Sequence, residues 1–437
     1  MKKNVSFCCM FLVGLQSLCL AQVKPMGFNQ KVITPQSSYY QYYPKLQIMN
    51  DTLFVCSNKG IYQKDLLRDG EWGLYAFKDA PVIEFVRDGD LLLANAMAAS
   101  NERDSLLLLS RDRGKTFEDY TSPDLLEYGK NHLYRLSQNP QNPKSLLVKT
   151  TQYGVYQTYN FGKTWKNLSP VSLGMSIAYA NFHPLDTTTI FYSGENPIFS
   201  GRIFKSSDSG NTWTEYEVPG GDNCVHQIDF HPSNPNILIF GGEGKIGKSV
   251  DKGETWDIKD LYDSGMYFYK VLFDAGNPNL LYASGVRGSI NGSDTIYVYR
   301  SIDMGETWHL AHKEYLGSDG GQVIDMVKYK DRLIFYTREL GVLELDLKTT
   351  SILSAHNDAI KDDLIIYPNP VSQTLRFQTD IKLKSLDIVN STGSIIQNIV
   401  LNGNERSVDV SGLDNGVYLA VFYTGQQRLI KKLCIKR

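Results

Sequence analysis

The chain alternates short apolar runs with turns rich in Gly, Asn, Asp and Pro, and it never settles into a helical period. Runs such as DTLFVCS (from Asp51), RLIFYT (from Arg332) and GVLELDL (from Gly341) are the length of strands and are bounded by turn residues. The 27 Tyr, 19 Phe and 36 Gly of the 437 residues suit strands and tight turns. An all-β chain is the expectation.

The pattern repeats. The octapeptides SRDRGKTF, TYNFGKTW, SSDSGNTW, SVDKGETW and SIDMGETW begin at Ser110, Thr158, Ser206, Ser249 and Ser301, at spacings of 48, 48, 43 and 52 residues. That spacing fits one four-stranded propeller blade per repeat. Each part of Ser/Thr-x-Asp-x-Gly-x-Thr-Trp has a mechanical use. The side-chain acceptors Asp112, Asn160, Asp208, Asp251 and Asp303 take bonds from the turn's own N–H groups. Gly114, Gly162, Gly210, Gly253 and Gly305 supply a backbone angle that other residues resist. Trp165, Trp213, Trp256 and Trp308 bury a large ring between elements. Ahead of the boxes run near copies of another turn, FHPLDTTTIFYSG from Phe182, FHPSNPNILIFGG from Phe230 and FDAGNPNLLYASG from Phe273. His183 and His231 occupy one slot of that repeat, which reads as a turn role.

Extending the register adds a blade before the boxes, around Trp72, and one after them through VIDMVKY and GVLELDL, giving seven blades, plus or minus one. A ring leaves two sheet edges unless it is closed, and the segment from Gln22 to Pro44, including Lys31-Val32-Ile33, is positioned to add an outer strand to the last blade. After Ser354 the polar SAHNDAIKDD reads as a linker, and from Leu364 strands and turns resume as a small β-sandwich. The expected organisation is residues 22–354 propeller, 355–363 linker and 364–437 C-terminal domain.

Residues 1–21 read as a signal peptide: Lys2 and Lys3, an apolar run from Val5 to Leu20, and small residues at Cys19 and Ala21 before cleavage at Gln22. The alternatives are an uncleaved anchor, against which the run is short and holds Gln16 and Ser17, and a lipoprotein, against which Leu18 is large for a lipobox. No transmembrane segment is expected after cleavage. Three of the six cysteines lie in that leader, and Cys56, Cys224 and Cys434 are too far apart for metal-ligand spacing. A formal net charge of −2 offers no basic excess for nucleic acid. No phosphate loop or EF-hand spacing occurs, so neither cofactor nor metal is expected.

The five octapeptides resemble the Asp box, or BNR repeat, of sialidases, sortilin-type receptors and xyloglucanases. The resemblance implies that each box sits in the turn between the third and fourth strands of a blade, away from the ligand face. The tail resembles the type A C-terminal sorting domain of the Bacteroidota type IX secretion system. It does so through Tyr367-Pro368-Asn369-Pro370, the turn ending at Gly393, Leu413-Asp414-Asn415-Gly416-Val417-Tyr418 and a basic end with Lys431, Lys432 and Lys436. This implies the type IX machinery as a partner and passage across the outer membrane, with release or surface attachment.

Function must come from a site. The ligand face of such propellers collects the loops 94–105, 194–201 and 285–295 and the blade-to-blade loops 219–225, 260–266 and 315–322. The leading reading is a binding protein that takes a glycan or a peptide on that face, with Tyr179, Tyr267, Phe268 and Tyr269 for stacking and Arg202, Arg287 and Arg338 for charge. The alternative is a glycoside hydrolase of xyloglucanase type, less so of sialidase type, using two facing carboxylates. The candidates are Glu195, Asp222, Glu243, Asp263 and Asp319. No Arg-Ile-Pro start is present, and xyloglucanases of this type use two propellers with a cleft between them, where this chain has one.

Overall fold

A computed structural model describes residues 23–28, 45–68, 70–97, 105–125, 133–150, 154–169, 176–195, 200–219, 224–261, 265–287, 294–317, 322–350, 364–379, 382–390, 395–402, 405–423 and 428–437. The expected leader 1–21, the expected linker 355–363 and Lys31-Val32-Ile33 lie outside them.

Seven four-stranded antiparallel sheets form the blades of a propeller. The inner strands of blades 1 to 7 are Leu46–Met49, Val82–Asp88, Leu133–Asn139, Ser176–His183, Val225–Phe230, Met266–Phe273 and Val323–Tyr329. Inner strands of neighbouring blades touch, and that of blade 7 returns to that of blade 1. Blade 7 takes its fourth strand from the N-terminal segment: Lys24 pairs with Glu344 and Pro25 with Leu343. Val23, Met26 and Phe28 are buried there, and the Trp72 indole donates to the Met26 carbonyl at 2.9 Å. Closure by this segment replaces two open edges with a continuous ring.

The apolar cores lie between blades. Phe54, Phe77 and Phe85 fill the gap from blade 1 to blade 2, Leu93, Tyr156 and Trp165 that from 2 to 3, and Phe191, Phe240 and Trp256 that from 4 to 5. A blade is therefore stable only against its neighbours.

The box turns have the local bonding that their composition implies. The Ser110 hydroxyl accepts from the Gly114 N–H at 2.7 Å and donates to Asp112 at 2.8 Å. Asp112 accepts the Thr116 N–H at 2.9 Å and its hydroxyl at 2.6 Å. In blade 3 Asn160 accepts the Thr164 N–H at 3.0 Å, and its amide donates to the Thr164 hydroxyl at 2.8 Å. The residue before each box glycine also has positive φ, from 56° at Phe161 to 63° at Arg113. The glycine meets a second demand, since a Cβ on Gly114 would lie 2.2 Å from that of Ala76 in the previous blade.

The C-terminal residues form a sheet of Ile365–Tyr367, Thr374–Gln378 and Ser407–Asp409 and a second of Ile395–Val400, Ser385–Val389, Gly416–Tyr423 and Arg428–Ile435. Leu375, Phe377, Leu386, Phe422 and Leu433 make their shared core, with the Phe377 and Phe422 rings edge to face at 5.1 Å. This is a small β-sandwich. Its motifs close on the chain end: Asn369 accepts the Cys434 N–H at 2.8 Å, Asn415 accepts the Arg437 N–H at 2.9 Å, and the Arg437 guanidinium donates to the Leu413 carbonyl at 2.7 Å. Gly393 lies outside the described residues.

Candidate functional site at the upper mouth of the channel

Each inner strand starts at the face that carries the blade-to-blade loops, here the upper face, and ends at the face that carries the boxes. In blades 2 to 7 its pairing slips near the upper end, between Val82 and Glu84, Leu133 and Arg135, Ile177 and Tyr179, Val225 and Gln227, Tyr267 and Lys270, and Val323 and Asp325. Such a bulge re-aims the side chains around it. The residue after each slip, with Lys45 in blade 1, makes a ring: Lys45, Glu84, Arg135, Tyr179, Gln227, Lys270 and Asp325.

The ring contains one arrangement twice. Lys45 of blade 1 pairs with Glu84 of blade 2, and Glu84 accepts the Leu136 N–H of blade 3 at 3.1 Å. Lys270 of blade 6 pairs with Asp325 of blade 7 at 3.2 Å, and Asp325 accepts the Leu46 N–H of blade 1 at 2.8 Å. Gln227 repeats the second half, accepting the Val271 N–H at 3.2 Å. Below the ring, the Ser137 hydroxyl donates to the Ala180 carbonyl at 2.6 Å and Asp229 accepts the Phe273 N–H at 2.9 Å. Arg135 differs from the two lysines, because the slot after it holds Tyr179 and no acid.

Positive charge gathers beside that slot. Lys149 is the register partner of Arg135 on the adjacent strand. Burial, and then the Arg135 charge, brings the Lys149 ammonium down to about 7. Burial also holds Lys45 below the usual lysine range, with Arg135 and Lys270 opposing the help of Glu84. His226 is pushed down to about 3 by burial, then by Arg135 and Lys149. Its ring stands edge to face with Tyr269 at 4.5 Å, and its Nε2 lies 3.9 Å from Glu243.

Of the five candidate carboxylates, Glu195 and Glu243 are described, at the upper ends of the second strands of blades 4 and 5. Burial raises Glu195. Both carboxylates act on the buried Cys224 thiol, which burial first and then these two charges push well above its ordinary value. Asp222, Asp263 and Asp319 lie outside the described residues. The proposed stacking and charged groups do not gather in one cluster: Tyr179 stands in the ring beside Arg135 and Tyr269 against His226, whereas the others are engaged elsewhere. Phe268 is fully buried in the core between blades 5 and 6, Arg202 is held by Glu215 and Glu217 of its own blade, and Arg287 bonds the Tyr297 hydroxyl at 3.1 Å. Arg338 turns to Gln322 at 3.5 Å. Sequence reasoning missed Lys45, Glu84, Arg135, Lys149, His226, Lys270 and Asp325. A usable signal was a charge in the third position of the inner strands, directly after two apolar or aromatic residues, as in VIEFVRD, LYRLSQN and VIDMVKY. Among the described residues no three His, Cys, Asp or Glu side chains gather as a metal site, and no helix is long and apolar enough to cross a membrane.

These features define an Asp-box propeller, and comparison with known proteins agrees. Residues 153–270 match the family model "Sortilin, neurotensin receptor 3", and residues 365–436 match "Secretion system C-terminal sorting domain". The chain is 31% identical over 152 residues to the oligoxyloglucan-reducing end-specific xyloglucanase of Emericella nidulans, over 33% of this chain and 17% of that protein. It is 29% identical over 127 residues to the probable enzyme of the same name from Neosartorya fischeri, over 28% of this chain and 15% of that one. It thus spans under a fifth of these relatives' length. Among solved structures, the GH74 xyloglucanase of Xanthomonas campestris superposes with a TM-score of 0.54 at 13% identity, over 94% of this chain and 67% of that one. YCF48 bound to D1 peptide gives 0.50 at 15%, over 75% and 95%. At such identities the structures speak for the fold alone. The chain is an Asp-box propeller with a type IX sorting tail, exported to the cell surface or released.

Proposed function

We propose that this chain is an exported binding propeller whose upper face takes a glycan or peptide and seats an anionic group of it against Arg135 and Lys149. The observation that carries this reading is the incomplete third member of the ring. Lys45 and Lys270 each have an acid on the next blade, whereas Arg135 faces Tyr179 with Lys149 alongside. A carboxylate, sulfate or phosphate entering from above supplies the missing charge, and partial burial strengthens the pairing. The test is calorimetric titration of the purified chain with oligogalacturonate, an acidic peptide and a neutral xyloglucan oligosaccharide. An acidic ligand is expected to bind, about tenfold or more weaker in Arg135→Ala, and more tightly as pH falls from 8 to 6 and Lys149 takes up its proton. Equal binding of the neutral sugar, unchanged in Arg135→Ala, refutes the reading.

A second reading is a glycoside hydrolase. It is favoured by Glu195, whose carboxyl is raised by burial as a general acid requires, with Glu243 on the adjacent blade acting on the same Cys224. Release of fragments from xyloglucan, lost in Glu195→Gln, would establish it in place of the first.

A further inference from the structure

The lower mouth of the channel differs from the rest of its wall. At the second level down, Gln47, Ser137 and Asp229 each reach across to the backbone of the next blade. The same level is apolar in blades 2, 6 and 7, at Val86, Leu272 and Val327, and in the last two the apolar positions are neighbours, with no polar atom to reach across. Beside them a cavity of about 480 Å³ opens between blades 5, 6, 7 and 1. Leu272, Val327, Met326 and Ile48 give it an apolar wall, and its volume is in the range that holds a small molecule. An apolar body seated there gains the contacts that the wall otherwise lacks.

The rim is cationic. Lys328 pairs with Asp274 at 2.8 Å and donates to the Lys330 carbonyl at 2.6 Å, which fixes the turn bearing Lys330. The backbone of Lys330 has φ 50°, and its exposed ammonium lies 4.9 Å over the Tyr329 ring. Of the lysines lining the cavity, Lys270 is answered by Asp325 in the ring above and Lys328 by Asp274, which leaves Lys330 as the exposed cation at the mouth.

We infer that the lower mouth is a second ligand site, for a small monocarboxylate with an apolar body. The body lies along Leu272 and Val327, and the carboxylate lies at the rim against Lys330. The cavity reaches up to Lys270 of the ring but shares no residue with the Arg135–Lys149 pair, so it stands or falls separately from the upper-face reading.

The test is titration of the full chain with 4-phenylbutyrate and with its neutral amide, in low salt. The expected result is saturable binding of the carboxylate and binding about tenfold or more weaker for the amide. Lys330→Glu, at an exposed position, is expected to weaken the carboxylate by a similar factor, and Leu272→Trp, which fills the cavity, to remove it. Arg135→Ala is expected to leave it unchanged. Equal affinity for acid and amide overturns the inference, as does undiminished binding in folded Lys330→Glu or loss of binding in Arg135→Ala. Should Leu272→Trp fail to fold, the Lys330→Glu and amide comparisons decide alone.

Discussion

The rim and the channel of this propeller satisfy buried or strained polar groups by opposite means. At the rim, a box closes largely on itself: the side chains of Ser110, Asp112 and Thr116 and the Gly114 N–H bond one another within one turn, and the same side chains recur from blade to blade. In the channel, the bond from Glu84 reaches Leu136, 52 residues on, and that of Asp325 reaches Leu46, 279 residues back. The rim makes each blade; the channel makes the ring. Ionic contacts also tie neighbouring blades at the periphery in blades 4 to 6, where the boxes' Glu254 and Glu306 take Lys205 and Lys248 of the preceding blade.

If this contrast is right, damage to closure should exceed damage to a channel bond, and that should exceed damage to a box. Deleting residues 22–28 removes the pairing with Glu344 and the burial of Val23, Met26 and Phe28. At about 1.5–3 kcal/mol for each of the three buried side chains, the loss is about 4.5–9 kcal/mol, read from the urea unfolding midpoint. Asp325→Ala leaves the Lys270 ammonium and the Leu46 N–H without their acceptor, and about 3–5 kcal/mol is expected from the same measurement. Asp251→Ala breaks bonds to Ser249 and Thr255 in a single turn, for about 1–2 kcal/mol. A box substitution that cost more than Asp325→Ala would reverse the ranking.

The smallest effect is the most discriminating. Asn160→Asp should change stability at pH 7 by under about 0.5 kcal/mol, because the amide already accepts the Thr164 N–H. It should add acid sensitivity. Turn hydrogen bonds hold Asp112 and Asp208 at about 2, below the ordinary aspartate value. The unfolded chain therefore binds the proton first, so their stabilisation is complete above about pH 4 and is lost as pH falls toward 2. Melting temperature against pH should steepen in that window in Asn160→Asp and stay level above it.

The same contrast explains what could be read in advance. The boxes were legible because the Ser, Asp, Gly and Thr that define them bond one another within a few residues, and so were the blades that the boxes space. Burial of Trp165, Trp256 and Trp308 followed from the same repeat. The ring was hidden because its members share a position and not a residue type: Glu84, Arg135, Tyr179, Gln227, Lys270 and Asp325 have no common motif. Their bulges depend on pairing that a linear pattern does not display. Phe268 misled for a related reason, since an aromatic residue one step from a channel position faces the core. Glu195 and Glu243 were legible only as acids near the end of a strand; their shared influence on Cys224 needed the third dimension.

The closing strand also sets a clock. Lys24 and Pro25 are synthesised early, but their partners Glu344 and Leu343 emerge only when the last blade does. Until then the ring has two live edges, and the search that ends in closure spans nearly the whole propeller, the kind of long-range pairing that slows folding. Closure therefore cannot come before the last blade is made, and a chain bound for export has at least that interval with its ring unclosed.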